Sequence, residues 1–188
     1  HVLVAGGELI TPAGFVELLN SSEIFDPNSQ TWSIGATLSV ARILHTANLL
    51  NDGRVLIAGG EDTRGNALAS AEIYDPSTGI FHRTGEMISG AYRHEATLMP
   101  SGKVLITGGI DITGYATNNA EVYDPVTGKF HAVGKMTTVR KNHTATLLLD
   151  GKVLAVGGED NWGHALDSGE LFDPATETFH AVASRMKD

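Results

Sequence analysis

The stretch "HTATLLLDGKVLAVGG", His143–Gly158, holds two apolar runs of strand length on either side of Asp150-Gly151. Asp-Gly between such runs signals a hairpin, because a tight two-residue turn asks for positive φ at both central positions. The same arrangement recurs around Ser101-Gly102, 49 residues earlier, and again around Asp52-Gly53. A period near 50 has to be read before any local motif, and it makes the chain an array of one unit. From the hairpin each unit continues into a glycine pair, seen as "GGEL" from Gly6, "GGED" from Gly59, "GGID" from Gly108 and "GGED" from Gly157. An acidic-aromatic block follows: "SSEIFDP" (Ser21–Pro27), "SAEIYDP" (Ser70–Pro76), "NAEVYDP" (Asn119–Pro125) and "SGELFDP" (Ser168–Pro174). An aromatic then recurs at Trp32, Phe81, Phe130 and Phe179. The first two glycine pairs stand 53 residues apart rather than 49, so the first post-glycine loop carries four extra residues.

The stretch "AEVYDPVTGKFHAV" forms a second hairpin, with Pro125 fixing φ at a strand end and Gly128 serving the turn. Each unit is therefore a four-strand meander: A ("HTATLL"), B ("KVLAVGG"), C ("AEVYDP") and D ("KFHAVGKM"). No segment has convincing helical periodicity, and "FVELLNSSEIF" (Phe15–Phe25) reads as an elaborated loop leading into strand C. Four-stranded units that are apolar on both faces bury those faces by packing radially. The expected fold is an all-β propeller of four-stranded antiparallel blades. The units divide as a partial blade B-C-D over 1–41 and full blades over 42–90, 91–139 and 140–188, within a single array.

The glycine pair closing a hydrophobic strand, the "E-x-Y-D-P" block, the later Trp or Phe and the period near 50 resemble kelch repeats. Those of galactose-oxidase-like central domains are included in the likeness, which covers the whole chain. It implies a ring in which a late segment often supplies the innermost strand of the first blade. Here the first blade lacks strand A, so the sequence predicts either a piece of a larger ring or a homo-oligomer that completes itself. The start at His1, inside the apolar run "HVLVAGG", is expected to lie within the native chain. The copper centre of galactose-oxidase-like proteins uses a Cys-modified tyrosine, and a chain with 0 Cys cannot build it.

Composition narrows the function further. The net charge is −9 and the 13 Lys and Arg are scattered, which argues against a nucleic-acid partner. No apolar run approaches the roughly 20 residues of a membrane helix, so no membrane role is expected. Without cysteine there is no thiolate nucleophile or Cys-bound zinc, and the compartment cannot be read.

Most recurrent polar residues fit structural roles. Gly59, Gly60, Gly108, Gly109, Gly157 and Gly158 precede a strand rather than a helix, which disfavours a phosphate loop and favours unusual φ or close backbone approach. The acidic residues behind them number at most two per loop, too few for a calcium loop, and suit hydrogen bonding to turn amides. His45, His94 and His143 open strand A in consecutive units and are expected to fill polar niches between blades. His82, His131 and His180, on outer strand D, are expected to be partly exposed. Glu72, Glu121 and Glu170 repeat in every unit with Glu23, and so suit pairing better than catalysis. Arg42 and Arg140 are the candidate partners, whereas Ala91 stands at the third equivalent position.

Function is sought where the units differ. The B-to-C loops and D-to-A connections emerge on one face, and their variable positions hold Arg64, Asn66, Tyr115, Trp162 and His164, with Phe15 and Glu17 on the longer first loop. Arg, Tyr and Trp anchor binding surfaces. The expectation is a non-catalytic module that presents these loops to a protein or glycan, with no catalytic residue, metal or cofactor. The alternatives are a fragment of a propeller enzyme with its catalytic residues elsewhere, or a self-assembling scaffold.

Overall fold

A computed structural model describes residues 1–186; Lys187 and Asp188, where the fourth unit was expected to end, lie outside the described residues. The first blade contains β1 (Val2–Ala5), the added hairpin β2 (Glu8–Ile10) and β3 (Val16–Leu18), then β4 (Ser22–Asp26) and β5 (Thr31–Ile34). The second blade is β6 (Thr46–Leu49), β7 (Val55–Ala58), β8 (Ala71–Asp75) and β9 (Ile80–Arg83). The third blade comprises β10 (Ala91–Tyr92), β11 (Glu95–Leu98), β12 (Val104–Thr107), β13 (Ile110–Asp111), β14 (Ala120–Asp124) and β15 (Lys129–Ala132). The fourth is β16 (Thr144–Leu147), β17 (Val153–Val156), β18 (Gly169–Asp173) and β19 (Thr178–Ala181). Three four-stranded antiparallel sheets run in sequence order, and the first sheet has three strands, β1-β4-β5, without a strand A. The loop expected over Phe15–Phe25 is in part a strand, because β3 pairs with β2 from Glu8↔Leu18 to Ile10↔Val16.

The hydrophobic core lies between blades. Leu3, Ile24, Ile57 and Tyr74 pack where the first blade meets the second. Leu56, Ile73, Val104 and Tyr123 fill the next interface, and Leu105, Val122, Val153 and Phe172 the last. Within each blade the aromatic of the acidic block pairs across to the later aromatic: Phe25–Trp32, Tyr74–Phe81, Tyr123–Phe130 and Phe172–Phe179, with ring centroids 4.8–5.1 Å apart. These tilted pairs hold strand D, the outermost strand, to strand C.

The Asp-Gly turns differ from expectation in one respect. Gly53, Gly102 and Gly151 have φ of 82–87°, while the residues before them do not take positive φ. Gly151 N donates to Leu148 O and Leu148 N to Lys152 O, which is a type I turn followed by a glycine bulge. The bulge needs one positive φ, and glycine supplies it, so Ser101 serves at the preceding position as well as Asp does.

The repeated glycine pairs sit where backbone meets backbone. A Cβ on Gly60 would lie 2.7 Å from Ile43 O and one on Gly109 2.6 Å from Tyr92 O, each on strand A's approach in the same blade. The first glycine of the first three pairs faces the next blade instead: Gly6 lies against Arg42 O and the His45 ring, Gly59 against Ala91 O and His94, and Gly108 against Arg140 O and His143. Their neighbours Gly7, Gly60 and Gly109 each donate a 2.9 Å bond to those same carbonyls.

Candidate functional site

The D-to-A connections and B-to-C loops meet on one face. Ile43 bridges Glu61, Tyr92 pairs with Ile110, and Lys141 bridges Glu159, so each connection is zipped to the loop of its own blade. In the second, third and fourth blades the B-to-C loop is then closed by its aspartate. Asp62 Oδ1 accepts from Arg64 N (2.8 Å) and Asn66 N (2.9 Å), and Asp160 Oδ1 accepts from Trp162 N (2.8 Å) and His164 N (2.9 Å). Asp111 accepts from Thr113 N at 2.8 Å. These amide bonds favour the ionised forms of Asp62 and Asp160, whose pKa values fall below the usual carboxylate range although burial acts the other way.

With the backbone fixed in this way, the variable side chains project outward. Tyr115 is 64% exposed and Trp162 79%, and Arg64, Asn66 and His164 are exposed too. The structure brings two of the five together: the Trp162 and His164 rings lie 6.4 Å apart, with His164 Nδ1 3.1 Å from Asp160 Oδ2. Asn66 Nδ2 turns back to Asp62 Oδ2 at 3.1 Å. Tyr115 joins the fourth blade's loop indirectly, since the amide of its neighbour Ala116 donates to Asn161 Oδ1. The five residues stand outside the clefts lined by Arg54 and Tyr123, by Leu3 and Tyr74, and by Lys103 and Phe172, and are exposed on the loop face. The first blade adds an exposed apolar tip, with Leu9, Ile10, Phe15 and Val16 on the β2–β3 hairpin. Sequence reading named Phe15 there but missed Ile10; the alternation of Leu9 and Ile10 against Val16 was its only sign.

Below the loops Arg42, Arg140, Glu72, Glu121 and Glu170 are buried and paired, whereas Glu23 in the first blade is exposed and, among the described residues, does not pair as expected. Arg42 and Arg140 are 0% exposed. Arg42 donates to Gly59 O (2.6 Å), Ser70 O (3.0 Å), Ser70 Oγ (3.0 Å) and Glu72 Oε1 (3.1 Å). Arg140 repeats this with Gly157 O (2.7 Å) and Glu170 Oε1 (3.0 Å). The glutamates also grip the preceding D-to-A connection: Glu72 accepts from Ser39 N, Glu121 from Ile88 N and Ser89 N, and Glu170 from Thr137 N and Thr138 N. Glu170 is held below its ordinary pKa by these amides and by Arg140, against the opposing effect of burial. Burial raises Glu121, which has the amides without an arginine.

The histidines lie between blades. His94 Nε2 is 3.0 Å from Thr46 Oγ1 on the second blade, and His143 Nε2 is 2.9 Å from Thr107 Oγ1 on the third. Burial pushes His45 and His94 down to about 4 and His143 to about 3, with the Arg42 and Arg140 cations adding to the effect at His45 and His143. His82 and His180 are exposed on strand D, and His131 Nε2 reaches Glu177 Oε1 at 3.0 Å. Among the described residues no group of three or more His, Cys, Asp or Glu is placed to hold a metal ion, and no helix is long and apolar enough to cross a membrane.

These features define a class: radially packed four-stranded blades, each tied to the next through a Gly-Gly contact and a buried Glu, with diverse loops on one face. The model of the Kelch motif matches residues 46–88, 99–137 and 140–186, and the chain belongs to that family. The solved structure of YjhT is similar, with a TM-score of 0.75 over 92% of this chain and 62% of its own at 14% sequence identity. The chain thus spans less than two thirds of YjhT, and at that identity the likeness concerns the fold. No curated protein matches the chain.

Proposed function

We propose that the chain is a non-catalytic recognition module that offers its B-to-C and D-to-A loop face to a protein or glycan. The observation that carries this reading is the contrast within the loops. An aspartate fixes the same turn in the second, third and fourth blades, while the tips carry Arg64, Tyr115 and Trp162, all exposed. A rigid base with diverse aromatic and cationic tips loses little conformational entropy on binding, and such residues dominate binding energetics. Glu72, Glu121, Glu170, His94 and His143 are already engaged in hydrogen bonds inside the array, which leaves them poor candidates for catalysis.

The test is a paired comparison of the chain with its Trp162→Ala, Tyr115→Ala double variant on a glycan array and against candidate proteins in solution. Circular dichroism of both would establish that the fold is intact, as expected for two exposed side chains. The expected result is a ligand whose affinity falls by tenfold or more in the variant. A ligand bound equally by both would remove the loop face from consideration.

A further inference from the structure

We propose that the third blade contains an internal site for one water-sized monovalent cation of the ammonium or potassium class, in the slot that arginine fills in the blades on either side. The slot is set by backbone that does not change from blade to blade. Gly7 N, Gly60 N and Gly109 N donate to the carbonyls of Arg42, Ala91 and Arg140 at 2.9 Å in each case, so Ala91 occupies the arginine position. In the second and fourth blades the guanidinium crosses from there to a glycine carbonyl and a buried glutamate. In the third blade the corresponding acceptors, Gly108 and Glu121, remain, while the side chain at Ala91 ends at Cβ.

A cavity is left behind. It measures about 10 Å³, with Ser89, Gly108, Thr117, Asn119 and Glu121 on its polar side and Met87, Ala91, Ile106 and Ala120 on its apolar side. That is room for about one water-sized group. Glu121 is 4% exposed and keeps its amide donors, Ile88 N at 2.7 Å and Ser89 N at 2.6 Å. Unlike Glu72 and Glu170, it has no cation beside it among the described residues. A buried carboxylate without a counter-charge is costly, so the site favours a proton or a small cation. The raised pKa of Glu121 is in keeping with a carboxylate lacking its partner. Glu121, Gly108, Ser89 and Thr117 put oxygen acceptors on one side of the cavity, opposite the Met87 and Ile106 side chains, and its volume admits ammonium or potassium but not a methylated cation.

Thermal unfolding at fixed ionic strength tests this, with ammonium chloride, potassium chloride and tetramethylammonium chloride exchanged for one another. The first or second salt should raise Tm over tetramethylammonium by roughly 2–4 °C, the shift of a ligand that stabilises a chain of this size by about 1 kcal/mol. The gain should vanish in Ala91→Arg, which supplies its own cation, and in Glu121→Gln, which removes the charge. The second variant keeps the test sharp if the first does not fold. Equal Tm in all three salts, or a gain that persists in Glu121→Gln, would overturn the proposal and leave a water or a protonated Glu121 in the slot.

Discussion

His94 and His143 are imidazoles placed where protonation is resisted. Their pKa values of about 4 and about 3 lie below the ~6.5 of a free ring, so between those limits the unfolded chain binds more protons than the folded one. The stability due to neutral burial is complete above about pH 6.5 and falls as pH drops through that window. Each ring should contribute a loss of about 1.5 kcal/mol between pH 6.5 and 5. Urea unfolding across that range, for the chain and for His94→Gln, should give a shallower pH slope in the variant; equal slopes would mean that His94 titrates freely in the fold. The inter-blade setting of these rings was legible in the sequence because His recurs at one register. The backbone beneath them was not. Leu44, Arg93 and Asn142 all take φ of 52–56°, and Arg93 N donates to Leu44 O and Asn142 N to Arg93 O, linking successive blades. Three unrelated residue types adopt one strained conformation there, imposed by ring packing rather than local preference.

At the scale of the element, the turn between strands C and D shows the same limit. Gly79 and Gly128 take φ of 70° and 66°, and Gln30 and Glu177 take 57° and 55° at the equivalent positions. The glycines announced the turn, but the turn does not depend on them. The Gly-Gly element is less forgiving, because its second glycine also meets backbone. Gly109→Ala would set a Cβ 2.6 Å from Tyr92 O at φ 95°, whereas nothing lies within 4 Å of a Cβ on Gly7 at φ 103°. Both substitutions incur the positive-φ penalty of about 1 kcal/mol. Only Gly109→Ala adds the clash, for a total above about 2 kcal/mol. Chemical denaturation of the two variants should show that difference. Equal losses would mean that the approach of strand A is not what selects glycine. The strand pattern was legible because alternation and period agree. Strand C is shorter than expected by one residue, A by two, B by three and D by four; B stops at the glycine pair, and D stops short of Gly134.

Over the whole molecule, burial follows position in the array. Strand B is buried on both faces in the third blade, where Val104–Thr107 are all covered. In the fourth blade Val153 and Ala155 are buried while Leu154 and Val156 are half-exposed. In the first blade Val2 and Val4 are exposed at 54% and 47%. The period implied these uncovered faces once the first blade was seen to lack strand A. Which loop residues converge was not legible, because it depends on where each exposed tip points rather than on register. The faces also set the cost of a charge. Ile57 is 0% exposed at the position in the second blade that Val4 holds in the first. Ile57→Asp buries an unpaired carboxylate and should cost about 4 kcal/mol or more. Val4→Asp should cost less than about 1 kcal/mol, because its carboxylate stays in water. Urea unfolding of the two variants, with sedimentation of the parent chain at the same concentration, measures both quantities. Comparable losses would show that the first blade's face is covered in solution, and the sedimenting mass would then say whether a second copy covers it.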